Sequence, residues 1–218
     1  YKAVKEKYPN INVITTSGAG ASGKEFDENY SIIDQKYPVS IVDEHYYSTD
    51  NWFYTNTHRY DSDKVRGNQG NTYNREKPTR VFVGEFANNR TNNAYVSTLA
   101  EAAYSTGLER NSDMVVMAAY APLFCKKGFS KWSSNLIWFD NRGLWRTTNY
   151  YYMSMFASNI GDKAIWISPF YKTDDQSEDA KVYTSPTIDT KTGTIYLKAV
   201  NADAVAKETT IALNGTGN

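Results

Sequence analysis

Apolar and polar positions along the chain follow two successive patterns, and the first covers most of the sequence. Four short apolar runs, rich in Val, Ile or aromatic residues, predict buried strands at residues 11–16, 39–47, 80–86 and 114–120. Helical periodicity predicts helices at residues 26–36, 94–107 and 147–158. The strands begin roughly 30–40 residues apart, the spacing of consecutive βα units, which predicts a parallel sheet.

The second pattern begins near residue 162. Alternating runs predict antiparallel strands at residues 163–171, 180–185, 194–201 and 207–213, with a hairpin turn at residues 189–193. We therefore divide the chain into residues 1–161 and a small β-domain at residues 162–218. Four βα units are half of a (β/α)8 barrel, which needs about 250 residues. A doubly wound sheet is the competing architecture, but no strand here is followed by its glycine-rich phosphate turn.

Composition and charge narrow the classes of function. Lys plus Arg and Asp plus Glu number 24 each, so the formal net charge is zero, and without a basic cluster nucleic acid is not an expected partner. No apolar run approaches the ~18 residues of a membrane span. The single cysteine excludes an internal disulfide and a multi-cysteine metal site. Aromatic residues make up 15% of the chain, which suits carbohydrate binding as well as an ordinary core.

The first residues resemble the inside of a longer protein. The chain starts at Tyr1 in an amphipathic stretch, without an initiator Met or a signal peptide. We interpret it as a fragment, so the missing signal peptide leaves the location open. A secreted or periplasmic location is favoured over a cytoplasmic one.

Polar and aromatic side chains lie where three predicted strands end, which is where parallel sheets carry their chemistry. His45 and Tyr47 end the second strand, Glu85 ends the third and Tyr120 ends the fourth. Strict alternation places His45 and Tyr47 on one face of their strand and Glu44 on the other, and it places Glu85 on the face of the valines before it. Each residue also has an ordinary interpretation, as a salt-bridged Glu, a structural His or a core tyrosine. The convergence of three strands favours a site.

Other kinds of chemistry find less support. Asp43, Glu44 and His45 are candidates for a metal site, and Asp43 and His45 share a face, but no His-x-His or His-Glu-x-x-His spacing exists, so we expect no metal and no cofactor. A Ser–His–acid triad lacks its Gly-x-Ser-x-Gly turn. Cys125 lies in an apolar stretch without an activating neighbour and is expected to be inert.

Several motifs together resemble a known family. Residues 41–47 read Ile-Val-Asp-Glu-His-Tyr-Tyr, residues 52–53 read Trp-Phe and residues 81–87 read Val-Phe-Val-Gly-Glu-Phe-Ala. The likeness continues at residues 107–113, 119–124, 135–141 and 149–151. In this order the motifs are similar to those of the α-L-arabinofuranosidases of glycoside hydrolase family 51.

The resemblance implies a fold and a set of site residues. The fold implied is α/β, the C-terminal half of a (β/α)8 TIM barrel followed by a partial antiparallel β-sandwich domain. Glu85 matches the catalytic nucleophile at the end of the seventh barrel strand. His45 and Tyr47 match the His and Tyr at the end of the sixth strand, and Tyr120 matches, more loosely, a residue lining the sugar pocket. We also expect Trp52 to bind substrate.

The resemblance also implies a function. The family's acid/base glutamate lies in a Gly-Asn-Glu motif, which does not occur in these 218 residues. The chain is therefore expected to be an inactive fragment of a retaining enzyme that removes α-L-arabinofuranosyl groups from arabinan or arabinoxylan. Its expected partners are arabinose-containing oligosaccharides or polysaccharides, and open barrel edges favour self-association. The alternative is a non-catalytic carbohydrate-binding or interaction fragment that uses exposed tryptophans, for which Trp52, Trp132, Trp138 and Trp145 are candidates.

Overall fold

The structure is a computed structural model that describes residues 1–36, 40–61, 65–67, 71–89, 93–166 and 181–212. Within these ranges the chain forms five helices and twelve strands. The helices are α1 (Lys2–Lys7), α2 (Lys24–Lys36), α3 (Asp50–Thr55), α4 (Tyr95–Arg110) and α5 (Thr148–Ser158). The strands are β1 (Ile14–Thr16), β2 (Ile41–Ser48), β3 (Val65–Arg66), β4 (Asn71–Thr72), β5 (Arg80–Asn88), β6 (Val115–Tyr120), β7 (Phe124–Lys126), β8 (Ile137–Phe139), β9 (Leu144–Arg146), β10 (Lys163–Ala164), β11 (Val182–Ile188) and β12 (Ile195–Asn201).

The main sheet contains the four strands that the apolar runs predicted. Its order is β1-β2-β5-β6, and each neighbouring pair is parallel. The predicted helices are confirmed as α2, α4 and α5, with ends shifted by at most three residues. The start predicted for the second strand, residue 39, lies outside the described residues. The prediction of a parallel α/β sheet is thus confirmed.

The two faces of the main sheet differ in burial. Val42, Glu44 and Tyr46 on β2 are buried, and Val42 packs against apolar side chains of α2. The residues between them, including His45 and Tyr47, remain partly exposed. Side chains alternate across a strand, so one face of β2 is covered and the other is open. The open face carries the polar residues of the candidate site.

A β-bulge in β5 changes the direction of Glu85. Glu44 pairs with Val83, but the next residue, His45, pairs with Glu85, so Gly84 is the extra residue of the bulge. Val81 and Val83 stay buried, whereas Glu85 lies on the open face beside His45. The sequence-based expectation that Glu85 shares a face with the two valines is therefore wrong. Strict alternation fails because the bulge adds one residue to β5 and to no neighbouring strand.

The C-terminal residues form a separate antiparallel sheet in the order β10-β11-β12, which packs on α4. The predicted hairpin turn is confirmed: the N–H of Gly193 donates to the carbonyl of Asp189, and Gly193 has a φ of +73°. The predicted strand at residues 207–213 is wrong for residues 207–212, which form no strand, and residue 213 lies outside the described residues. The strand predicted at residues 163–171 is confirmed only at Lys163–Ala164. Residues 167–171 lie outside the described residues.

Three small features escaped the sequence patterns. Strands β7, β8 and β9 form a sheet of their own, and β3 pairs with β4. Helix α3 has only six residues, and Thr49 caps it by accepting a hydrogen bond from the Trp52 N–H. Elements of two to six residues are too short to show a helical or alternating period.

Candidate active site

Glu85 is the centre of a polar cluster at the carboxyl end of the main sheet. The Tyr47 hydroxyl donates a hydrogen bond of 2.7 Å to Glu85 Oε2. His45 Nδ1 lies 3.5 Å from the same oxygen. The Glu85 side chain is 43% exposed, so it is fixed at one oxygen and still open to a ligand. The structure therefore brings together three of the residues that the sequence singled out.

Asp43 holds the other side of the His45 ring. Its Oδ2 lies 3.0 Å from His45 Nε2, so the imidazole bridges two carboxylates, Asp43 and Glu85. Gly84 makes room for Asp43, because a Cβ on Gly84 would lie 2.0 Å from Asp43 Oδ1. That Oδ1 atom is buried and finds no hydrogen-bond partner among the described residues. The Asp43 carboxylate can therefore lie here only because Gly84 has no side chain.

Tyr47 keeps its proton under ordinary conditions. Burial raises the pKa of the Tyr47 hydroxyl well above its usual value, and the hydrogen bond and negative charge of Glu85 raise it further. The neutral hydroxyl can only donate to the carboxylate, so it fixes the position of one Glu85 oxygen. A carboxylate held in this way has the geometry and charge of a nucleophile.

The described contacts of Tyr120 and Trp52 are with residues other than Glu85. Tyr120 is 6% exposed, packs against Phe86 with ring centroids 5.8 Å apart, and accepts a hydrogen bond of 2.8 Å from Asn93. Trp52 packs among the rings of Tyr46, Phe53 and Tyr104. These contacts place both residues in or against the aromatic core, and neither makes a described contact with Glu85.

Glu44 has a structural environment on the covered face of β2. Four tyrosine hydroxyls donate to its fully buried carboxylate, those of Tyr30, Tyr46, Tyr60 and Tyr73. Arg59 Nε lies 3.8 Å from Glu44 Oε2. Burial raises the pKa of Tyr30, Tyr60 and Tyr73, so these hydroxyls remain donors. The expectation that Glu44 lies on the opposite face of β2 from His45 and Tyr47 is confirmed, and its tyrosine partners could not be found from local sequence.

Trp132 joins the cluster from the segment between β7 and β8. Its indole stacks on the Tyr47 ring, with centroids 5.4 Å apart and planes inclined by 26°. The residue is 54% exposed. Trp138 and Trp145 lie opposite each other on β8 and β9, and no described contact joins either to Tyr47. The sequence named Trp132 as one stacking candidate among four but gave no link to Glu85.

The parallel sheet, its helices and its polar carboxyl edge define an α/β protein of the kind that carries enzyme sites at its strand ends. The family described as "Alpha-L-arabinofuranosidase C-terminal domain" matches residues 61–218. The chain therefore belongs to the α-L-arabinofuranosidases of glycoside hydrolase family 51, as its motifs predicted.

Individual relatives agree with this assignment. An extracellular exo-α-L-arabinofuranosidase of Streptomyces chartreusis is 40% identical over 163 residues, which are 75% of this chain and 18% of that protein. The α-L-arabinofuranosidase 2 of Arabidopsis thaliana is 30% identical over 164 residues, which are 74% of this chain and 21% of that protein. The arabinose-bound structure of the α-L-arabinofuranosidase MgGH51 superposes with a TM-score of 0.74 at 27% identity, covering 94% of this chain and 31% of that one.

The chain thus spans less than a third of each of these relatives. Among the described helices, none has the length and apolar character that crossing a bilayer requires. In the described part of the chain, no three His, Cys, Asp or Glu side chains gather in a way that could hold a metal ion.

Proposed function

We propose that this chain supplies the nucleophile side of the active site of a retaining α-L-arabinofuranosidase, with Glu85 as the nucleophile. The hydrogen bond from Tyr47 to Glu85 at the carboxyl end of a parallel strand is the observation that carries the proposal. Family membership supports the reaction type, and the substrate proposed is a terminal α-L-arabinofuranosyl group of arabinan or arabinoxylan. The arabinose bound in the MgGH51 structure supports this class of sugar.

The proposed mechanism is a double displacement. The ionised Glu85 forms a bond to the anomeric carbon while the bond to the leaving oxygen breaks, and a second carboxylic acid gives that oxygen its proton. Water, deprotonated by the same second group, then attacks the anomeric carbon and releases Glu85. In this scheme Tyr47 holds and orients Glu85, and His45, held by Asp43, lies beside the Glu85 oxygen that Tyr47 binds.

The second carboxyl group belongs about 5–5.5 Å from the nucleophile in a retaining enzyme. Glu44 does not meet this requirement, because it is fully buried on the opposite face and occupied by four tyrosines. We propose that the acid/base glutamate comes from a segment outside these 218 residues, as part of a complete (β/α)8 barrel. In this proposal residues 1–161 form half of that barrel and residues 162–218 form part of a β-sandwich domain.

The proposed location is extracellular, in line with the name of the Streptomyces relative. Self-association through open sheet edges stays a prediction for the isolated chain, and so does its lack of activity. The proposed sugar site contains Glu85, His45 and Tyr47. A substrate-binding role for Trp52 and Tyr120 stays a prediction, since the contacts described for their rings are with other aromatic side chains.

The stereochemistry of the product tests the proposal on the whole enzyme of which this chain is proposed to be part. NMR spectroscopy during the first turnovers of an aryl α-L-arabinofuranoside should show α-L-arabinofuranose as the first product, and Glu85→Gln should abolish turnover. Glu76→Gln is the matched control, because Glu76 is exposed and lies outside the proposed site. Formation of the β-anomer first, or full turnover by Glu85→Gln, would contradict the proposal.

A further inference from the structure

Trp132 is an exposed aromatic residue near Glu85, the proposed nucleophile. The proposed reaction gives Trp132 no role. One face of its indole stacks on Tyr47, whose hydroxyl donates to Glu85. With 54% of the residue exposed, a large part of the ring system is free to receive a ligand. The indole therefore lies one aromatic ring further from the reacting carboxylate than Tyr47 does.

The segment that carries Trp132 is fixed to the end of β5, the strand of Glu85. The Ser133 hydroxyl donates to the Asn89 carbonyl at 2.9 Å, and the Ser134 hydroxyl donates to the Asn88 carbonyl. The position of Trp132 is thus tied to the strand that carries Glu85.

Hydrogen bonds also fix the residues around Trp132. The Asn135 side chain donates to the Trp132 carbonyl at 3.1 Å, and the Asn135 N–H donates to the Asn93 side chain at 2.9 Å. The Ser130 hydroxyl accepts from the Trp132 N–H at 3.2 Å. These bonds fix the Trp132 backbone, and the ring itself stacks on Tyr47. A side chain placed in this way loses less conformational freedom when a ligand binds, so its contact contributes more to affinity.

We infer that Trp132 forms a binding subsite for the sugar on the leaving-group side of the scissile bond. The inference rests on the proposed function. A terminal arabinofuranosyl group has no further sugar on its own side, so any second sugar near Glu85 belongs to the leaving group. The apolar C–H face of such a ring fits a flat indole, and because Trp132 is exposed the sugar hydroxyls can stay in water. The ligand class is therefore the saccharide backbone that bears the arabinose.

Two substrates separate this role from a structural one. The first carries arabinofuranose on a xylo-oligosaccharide, and the second is methyl α-L-arabinofuranoside, which has no ring on the leaving-group side. Trp132→Ala should lower kcat/KM about 10-fold for the oligosaccharide, mainly through KM, and less than about 2-fold for the methyl glycoside. Trp132→Phe should recover most of the loss, because it keeps an aromatic face.

Trp166→Ala is the matched control, since Trp166 is 80% exposed and no described contact joins it to Tyr47. It should leave both substrates unchanged. An equal loss for both substrates in Trp132→Ala would overturn the inference, because Trp132 would then act only by placing Tyr47. Unchanged activity on the oligosaccharide would overturn it as well. Failure of the proposed function is a separate result, since it would show as full turnover by Glu85→Gln with either substrate.

Discussion

The hydrogen bond between Tyr47 and Glu85 can be removed without disturbing the ring that makes it. Tyr47→Phe deletes the hydroxyl that lies 2.7 Å from Glu85 Oε2 and keeps the ring that stacks on Trp132. A hydrogen bond to a charged group contributes about 1.5–3 kcal/mol. Because the Glu85 side chain is 43% exposed, water replaces part of the interaction and the lower end of that range applies. About 1.5–2 kcal/mol corresponds to a loss of roughly 10–30-fold in kcat/KM.

The assay is the steady-state hydrolysis of an aryl α-L-arabinofuranoside by the whole enzyme. Tyr151→Phe is the matched control, because Tyr151 is exposed on α5 and its ring packs edge-on against that of Tyr150. It should change kcat/KM by less than about 2-fold. If Tyr47→Phe retained full activity at every pH, Tyr47 would not hold the nucleophile, and the reasoning from this hydrogen bond would be refuted.

Three further predictions concern carboxylates that are buried or partly buried. Asp43→Asn should lower kcat/KM about 10-fold or more, because the contact with His45 Nε2 is charge-assisted. A ¹⁵N NMR spectrum of the His45 imidazole that matches wild type would contradict this role of Asp43. Burial raises the pKa of Glu101 to about 8, so the folded state holds a proton that the unfolded state releases near pH 4.3. The free energy of unfolding should therefore fall by up to about 1.4 kcal/mol per pH unit as the pH rises from about 4.3 to about 8. Urea unfolding at pH 5.5 and 7.5 should show this slope in wild type and not in Glu101→Gln, and equal slopes would refute it. Glu44→Ala should cost about 3–5 kcal/mol in the same assay because it leaves Arg59 without its buried partner, and a loss below about 1 kcal/mol would contradict this role.

Periodic apolar runs were enough to predict the main sheet. Val42, Val81 and Val83 are buried against the helices, so their spacing reports the covered face of the sheet directly. The predicted strand at residues 207–213 failed, because the same alternation also occurs where the described residues find no strand to pair with. Pairing depends on distant neighbours, which local sequence does not contain.

The site was predictable in its members and less so in its geometry. His45, Tyr47 and Glu85 end predicted strands, and the structure places them in contact. The direction of Glu85 was not predictable, because it depends on the bulge at Gly84, a property of two paired strands. The link from Trp132 to Tyr47 spans 85 positions and follows from the fold alone.

Covalent trapping of the glycosyl-enzyme is the most direct test of Glu85 as the nucleophile. The whole enzyme would be incubated with an aryl arabinofuranoside whose glycosyl-enzyme hydrolyses slowly, and the labelled peptide would be located by mass spectrometry. We expect one arabinofuranosyl group attached at Glu85 and no label in Glu85→Gln. A label on any other carboxylate, Asp43 and Glu44 included, would contradict it.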